Sequence, residues 1–522
     1  NSYFTFTANA IFKMKLIKQF DIISLLLWCI LSFNFIENIN ASCPITCFCS
    51  IEGPVIYPND KLFEPLIIDQ NIRVNYTPSV LVYAINNKDV QRAVNCAVEL
   101  RTDIIARSGG HSYEKYGIGG RDNVIVLDVT FINDITIDPV AKTAKIGAGN
   151  RLGNVYSKLS QAGFLIPAGT CPSVGVGGHT LGGGFGLFSR KYGLACDNVI
   201  SMEMVDAKGN LLQINPTLNS DLFFALRGAG GGSYGIVTYF VFRIHQKPPQ
   251  VTYMRLEFNR TNMTQVQQLF RAFNKFAPSL DSDIGLKMRL EKKFLFITGI
   301  YLGPCTKAKN AMKKFLDKAP EPISSKFDQK TFFDSVKELS RVSKYEVLSP
   351  KHNPNFFKVK SFYVEVGKGL TRKAVNTLAD FLNNTSCQTF ASFDLYGGAI
   401  NIRNHNNSFI HRNMLYCIQM ETGNWTSKEQ GTKCVDELNE FGRNFQSRFT
   451  SYYSYQGYID RNLSHWQTRY YGKDFKRLVE IKAKYDPNNL FKFPQSIPVK
   501  LSRSLRRYLK KFYKTIIKCN KC

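Results

Sequence analysis

The chain has 522 residues, of which 44% are hydrophobic and 13% aromatic, with a net charge of +28 and 13 cysteines. That length and apolar content exclude a disordered or fibrous chain and favour a large core divided between two or more domains. Residues 499–522 hold nine Lys/Arg and no acid, leaving +19 for the rest, and with no helix-turn-helix, zinc-finger or RNA-binding signature the charge points to a basic tail, not to a nucleic-acid partner; no metal site is expected.

The first residue is Asn, so a start is sought at Met14. Lys15 and Lys18 precede an almost wholly apolar run from Ile22 to Ile36, and Asn40-Ala41-Ser42 offers small residues for cleavage. The pattern predicts a signal peptide over 14–41 and secretion, the run being shorter than the ~20 residues a membrane span needs. An oxidising compartment suits the cysteines, with Cys43, Cys47 or Cys49 able to bridge to Cys96. Sequons at Asn259, Asn384, Asn424 and Asn462 would accept glycans there.

From Val80 to Arg101 the sequence reads as a strand and then a helix starting near Asn86 or Asn87. RSGGHSYE follows at 107–114, then a strand at Val124–Val129, a β-rich stretch to Gly149 and a helix around Leu152 to Ala162. Residues 169–186 are the most glycine-dense part of the chain, and a second cluster, RGAGGGSYGIV, spans 227–237 between apolar runs. Residues 42–248 are therefore expected to form an α+β nucleotide-binding unit whose loops carry the glycines. Glycine becomes sparse after Lys247-Pro248-Pro249. Residues 249–448 alternate β-like runs with amphipathic helices, predicting an antiparallel sheet covered by helices on one face. The segment 449–498 ends in a helix before Asp486-Pro487. In the tail, 499–522, Leu501, Leu505, Leu509, Phe512 and Ile516 share one helical face, which predicts an amphipathic basic helix, either touching anionic lipid or polysaccharide or solvated with no partner.

A pyrophosphate needs backbone N–H groups to approach it closely, and glycine allows this because it has no Cβ. The loops at 107–112 and 169–186 meet that need as a pair. Neither matches GxGxxG between strand and helix, nor the P-loop, so the expected ligand is a large phosphate-bearing cofactor held outside the usual nucleotide folds. His111 sits in the first loop and Cys171 in the second; alone, they read as a turn residue and a disulfide partner.

RSGGHSYE, PAGTCPSVGVGGHTLGGGFG (167–186), DLFFALRGAGGGSYGIVT (221–238), YYGKDF and DPNNLF occur in this order. Over roughly residues 60–498 the chain resembles the berberine bridge enzyme-like FAD oxidases of the vanillyl-alcohol oxidase superfamily. The resemblance implies an α+β fold: a two-subdomain, PCMH-type FAD-binding domain, a substrate domain, and a C-terminal segment returning to the first. It implies a bicovalent FAD, bonded at 8α by His111 and at C6 by Cys171. Arg107, Ser108, Gly109, Gly110 and Ser112 would contact it from the first loop. Gly169, Val174, Gly175, Gly178, His179 and Gly183 would do so from the second, and Gly235, Ile236, Val237 and Tyr471 from later motifs. Val174 matches an oxygen-gatekeeper position, where a small side chain leaves O2 a path.

Hydride transfer from an alcohol needs a base for the hydroxyl proton. The family's tyrosine base maps to Tyr458 in YQGYID, with Gly457 where Asn is usual. A lysine of related plant enzymes is replaced by Cys417 in LYCIQ. Asp394 resembles an acid of fungal sugar oxidases, Gln419 stands where berberine bridge enzyme has a catalytic glutamate, and Tyr113 resembles a sugar-contacting aromatic. These positions imply a secreted oxidase acting on the anomeric hydroxyl of a mono- or oligosaccharide, with O2 reduced to hydrogen peroxide. Oxidation of a non-sugar alcohol, and a flavin-retaining protein without turnover, are the alternatives.

Overall fold

The computed structural model describes residues 45–340, 352–402 and 406–519, with side chains to 514. The leader expected at 14–41, Cys43 and the Ile516 side chain lie outside the described residues.

Residues up to Arg243 build two sheets. The first pairs β1 (Val55–Ile56), β2 (Val80–Tyr83), β3 (Ile104–Arg107) and β4 (Ile125–Asp128) in the order β1-β2-β4-β3, the last three parallel. VLVY and IVLD are buried at every position, as parallel strands covered on both faces require. The connection from β2 to β3 is α1 (Asn87–Glu99), whose N-cap Asn86 accepts from Asp89 N at 2.9 Å. Cys96 on α1 is bonded to Cys47, which selects one of the partners open to it. The second sheet is antiparallel, with β5 (Ile135–Asp138), β6 (Thr143–Gly147), β7 (Val199–Val205), β8 (Leu211–Ile214) and β9 (Ile236–Arg243) in the order β5-β6-β9-β7-β8. Helix α2 (Leu152–Gln161) leads towards the glycine-dense loop, and α3 (Val176–Leu181) starts within it.

A seven-stranded antiparallel sheet follows. Its strands are β10 (Val251–Phe258), β11 (Ile284–Glu291), β12 (Leu295–Tyr301), β13 (Ser324–Lys330), β14 (Phe357–Glu365), β15 (Gln388–Leu395) and β16 (Met414–Gly423), ordered β13-β10-β12-β11-β15-β16-β14. Period-two patterning sets its two faces. Leu286, Met288 and Leu290 of β11 join Phe393 and Ile418 in a core closed by Leu269, Phe270 and Phe273 of α4 (Met263–Phe276) and by Met312 of α5 (Cys305–Leu316). Leu378 and Leu382 of α6 (Arg372–Asn384) and Leu438 of α7 (Lys428–Phe449) complete it. The opposite face presents Lys287 and Arg289 of β11, Asp394 of β15 and Gln419 of β16 to a cavity. This is the expected helix-covered antiparallel sheet. A disulfide between Cys387 and Cys434 ties the start of β15 to α7; nothing local in the sequence paired these two.

The chain then returns to the first half. On α8 (Phe475–Tyr485), buried Lys482 donates from Nζ to Asp486 Oδ2 at 2.5 Å and to Ser233 O at 2.6 Å, while Ile104 N donates to Leu490 O at 3.3 Å. The tail forms α9 (Arg503–Cys519), which docks by its apolar side. Leu509 is 2% exposed, Tyr508 stacks on His465 at 4.1 Å, and the Tyr508 hydroxyl meets Thr468 Oγ1 at 3.0 Å. Arg503, Arg506, Arg507, Lys510 and Lys514 remain exposed.

Candidate active site

The two glycine loops touch each other. A Cβ on Gly109 would lie 2.1 Å from Gly175 N, and one on Gly175 would lie 2.3 Å from Gly109 N, so only glycine lets the backbones meet. Arg151 staples them, donating from Nη1 to Gly109 O at 2.9 Å and to Ser173 O at 2.6 Å. The loops, the polar face of the large sheet and residues 455–459 enclose a cavity of about 540 Å³, within the roughly 300–1,000 Å³ range of small-molecule sites. Gly178 and Gly231 line it with open space where a Cβ would stand.

His111 and Cys171 face this cavity from opposite loops, joined by one hydroxyl. Ser173 Oγ lies 2.9 Å from His111 Nε2 and 3.4 Å from Cys171 Sγ. Burial, reinforced by His352, Arg151 and His179, pushes the His111 pKa well below its usual value, so its imidazole is neutral and nucleophilic. His352 closes one side, with its ring edge-on to His111 at 5.3 Å and Nε2 2.6 Å from Gly109 O. His179 accepts from Gly169 N at 3.0 Å through Nε2, and burial lowers its pKa to about 4, so its proton is on Nδ1.

Across the cavity Tyr458 donates from Oη to Asp394 Oδ2 at 3.4 Å, and Lys287 Nζ lies 3.4 Å from Asp394 Oδ1. Tyr113 stacks on Tyr458 at 5.7 Å and accepts from Gln419 Nε2 at 3.2 Å. Gln419 Nε2 also faces Glu421 Oε2 at 3.4 Å. Burial lifts the Glu421 carboxyl to about 7, against the opposing pull of Arg289 and Lys287. Burial, with Asp394 and Tyr113 adding to it, raises the Tyr458 phenol well above its usual value. Gly457 is dictated by Tyr455, whose Cζ would stand 2.5 Å from a Cβ there.

A buried ionic clasp holds the two tyrosines in place. Lys358 Nζ reaches Glu114 Oε1 at 2.5 Å and Asp460 Oδ1 at 2.6 Å, and Lys360 Nζ reaches Asp460 Oδ2 at 2.7 Å. Arg461 Nε adds a contact to Glu114 Oε2 at 2.9 Å. Glu114 follows Tyr113 and Asp460 lies two residues beyond Tyr458, so the clasp fixes both ends of the stack.

Residues 78–215 match the family description "FAD binding domain", and residues 454–498 match "Berberine and berberine like". The uncharacterized FAD-linked oxidoreductase YvdP of Bacillus subtilis (strain 168) is 31% identical over 454 residues, covering 86% of this chain and 98% of that one. The solved structure of Physcomitrella patens BBE-like 1 is 34% identical and superposes with a TM-score of 0.83, over 88% of this chain and 99% of that one. The chain belongs to the berberine bridge enzyme-like family of FAD-linked oxidoreductases. The chitooligosaccharide oxidase of Gibberella zeae is similar at 28% identity over 449 residues, covering 82% of this chain and 89% of that one.

The residues of this berberine bridge enzyme-like oxidoreductase fit FAD. Its touching glycine loops leave an open cradle at Gly178 and Gly231, and a neutral imidazole and a free thiol face the same cavity. Ser108, Gly110, Ser112, Gly169, Val174, His179, Gly235, Val237 and Tyr471 line the cavity. Arg107 reaches the wall, but its guanidinium is committed to Asp128 Oδ2 at 2.5 Å, Leu66 O at 2.7 Å and Tyr83 Oη at 3.0 Å. Gly183 and Ile236 stand behind the wall instead. Gly183, at φ +116°, lies against the Phe409 ring, and Ile236 is in the core. Ser173 lay unremarked inside a quoted motif; Lys287, Arg151, Glu421 and the clasp had no local signal.

Proposed function

We propose that this FAD-linked oxidoreductase oxidises a carbohydrate at its anomeric hydroxyl to the lactone, with O2 as the final acceptor and hydrogen peroxide as product. FAD, tethered at 8α through His111 and at C6 through Cys171, supplies the hydride acceptor. The observation that carries the reading is the Tyr458–Asp394 contact, set beside Gln419 and Tyr113 in one cavity. A free phenolate is disfavoured at this depth, so Tyr458 takes the sugar's proton while passing its own to Asp394. Gln419 can both donate to and accept from neutral hydroxyls, and Tyr113 offers an apolar ring to a sugar face. Similarity to a chitooligosaccharide oxidase supports this substrate class. Two disulfides support export to an oxidising compartment, where the exposed Asn384, Asn424 and Asn462 would carry glycans. Among the described residues no helix is long and apolar enough to cross a membrane.

The test is the visible spectrum after acid precipitation, followed by anaerobic addition of cellobiose, glucose or chitooligosaccharides to the native protein. Yellow colour retained by the precipitate and bleached by a sugar in the native form supports the reading. A flavin that stays oxidised with every sugar turns it towards a non-sugar alcohol.

A further inference from the structure

Asp394 is 1% exposed at the middle of the polar sheet face, where three strands put three side chains in one row. In register, Lys287 of β11 stands opposite Asp394 of β15, and Asp394 stands opposite Cys417 of β16. Directly opposed residues in an antiparallel pair point to the same face with Cβ atoms roughly 4.5–5.5 Å apart. The row is therefore cation, carboxylate, thiol. Burial raises the Cys417 thiol well above its usual value, so that side of Asp394 is neutral. A buried carboxylate with no cation beside it takes up a proton and can accept no other.

We propose that Lys287 is the counter-charge that keeps Asp394 able to receive the proton of Tyr458, which makes it a positioning residue for the oxidation. This rests on the reading of Tyr458 as the group that takes the substrate's proton. As the C–H hydride leaves the donor for the oxidant, the donor's hydroxyl proton moves to Tyr458 Oη and the phenol's own proton moves to Asp394 Oδ2. Tyr458 ends neutral, as it began. The oxidant takes up the hydride with its charge, and within the proton path the change of charge falls on Asp394, which passes from carboxylate to acid before releasing the proton to solvent.

The surrounding groups leave that duty to Lys287. From β11, Arg289 also faces the cavity, but its Nε is paired with Glu291 Oε1 at 2.5 Å and its guanidinium lies 3.6 Å over the Phe390 ring. From β16 come the Cys417 thiol and Glu421, the latter with its pKa at about 7. Tyr113 of the glycine loop and Tyr455 and Tyr458 of the C-terminal segment contribute phenols that burial holds protonated. Among the described residues the ion pair of Asp394 is with Lys287.

The experiment compares the pH profile of kcat/KM for wild type, Lys287→Met, Lys287→Arg and the double variant Lys287→Met/Cys417→Lys, on any sugar that bleaches the flavin. Each protein is first checked for bound flavin and unchanged thermal unfolding. Lys287 is one-third exposed, so the Met variant is expected to fold. Removing the cation disfavours the carboxylate, so the acid limb of the Met profile should move up by about one pH unit. On that limb the rate should fall about tenfold with KM little changed. Arginine should restore most of the wild-type profile, and so should a lysine placed on the other side of Asp394 at position 417. An unmoved acid limb, or a KM that rises at every pH while the limbs stay in place, overturns the proposal and makes Lys287 a substrate contact. Tyr458→Phe separates the two levels. If that variant keeps wild-type turnover, the reading of Tyr458 fails and the proposal with it; if it is inactive while Lys287→Met has the wild-type profile, only the proposal fails.

Discussion

Tyr458 lies 3.4 Å from Asp394 in a setting where burial and a neighbouring carboxylate both oppose its ionisation. In the proposed oxidation a phenol so placed would serve as a conduit, and removing its oxygen would break the path at both ends. Tyr458→Phe is expected to lower kcat on a bleaching sugar by about 10²–10⁴-fold, the usual worth of a positioned acid–base group. Flavin content should be unchanged, because the proposed tethers are His111 and Cys171; rapid-mixing reduction under nitrogen reads the rate directly. Ser173 makes a different kind of demand. Its hydroxyl can accept from His111 Nε2–H and donate to the Cys171 sulfur, so one side chain orients both proposed tethering groups. Ser173→Ala should leave a substantial share of the flavin in the supernatant after acid precipitation, and Ser173→Thr should return it to the pellet. Complete retention in the alanine variant would show that the two tethers form without help from this hydroxyl.

At the scale of elements, the glycine loop, β14 and the C-terminal segment are bolted together by Lys358, Lys360, Glu114, Asp460 and Arg461. Burial alone would raise the Asp460 carboxyl, yet Lys360 and Lys358 overcome it and hold it at about 2. A carboxylate depressed in this way contributes stability above its unfolded value near 3.8, and the contribution is lost as pH falls towards 2. Lys358→Met removes one charged hydrogen bond from each of Glu114 and Asp460, which keep Arg73, Arg461 and Lys360, and losing such a bond costs about 1.5–3 kcal/mol. Urea unfolding should register a loss of that order, and a midpoint equal to wild type would deny the clasp its structural role. The clasp also marks how far the sequence could be read. Strands such as Ile125–Asp128 and helices such as Asn87–Glu99 were legible because apolar period and cap residue act within a few positions of each other. That His111, Cys171 and Tyr458 belong to one cavity was legible because their motifs are continuous in the chain. Lys287 and Lys358 were not: Lys287 meets Asp394 across strands whose pairing no local pattern states, Lys358 reaches a loop and a segment some hundred or more residues away, and on the strand each looks like any solvated lysine. Arg107 and Gly183 fell within recognised motifs, but proximity in sequence does not say that a guanidinium is spent on Asp128 or that a glycine is turned against the Phe409 ring.

For the whole molecule the basic tail poses the remaining physical question, since a helix with nine basic neighbours and an apolar stripe is also what binds a membrane surface. The fold answers part of it. Tyr508 and Leu509 face the protein, and the Tyr508 hydroxyl meets that of Tyr452 at 2.5 Å, so among the described side chains the stripe packs on the protein, fully at Leu509 and in part at Leu501, Leu505 and Phe512. The same packing reaches the segment that lines the cavity, because Tyr452 and Thr468 bracket the turn that carries Tyr458. Ending the chain at Val499 should therefore have two separable effects. Loss of the buried apolar contacts is expected to cost about 2–4 kcal/mol, on the scale of one or two large side chains, and to lower the unfolding temperature measured by scanning calorimetry. Loss of the cationic face should abolish salt-sensitive retention on an anionic polysaccharide matrix, which for the full chain should fade once ionic strength brings the screening length to about 3 Å near 1 M. If retention survives truncation while the unfolding temperature drops, the helix is a structural brace and the charge that matters lies on the body of the protein; if retention is lost with no change in unfolding, the helix is a surface device only loosely coupled to the fold.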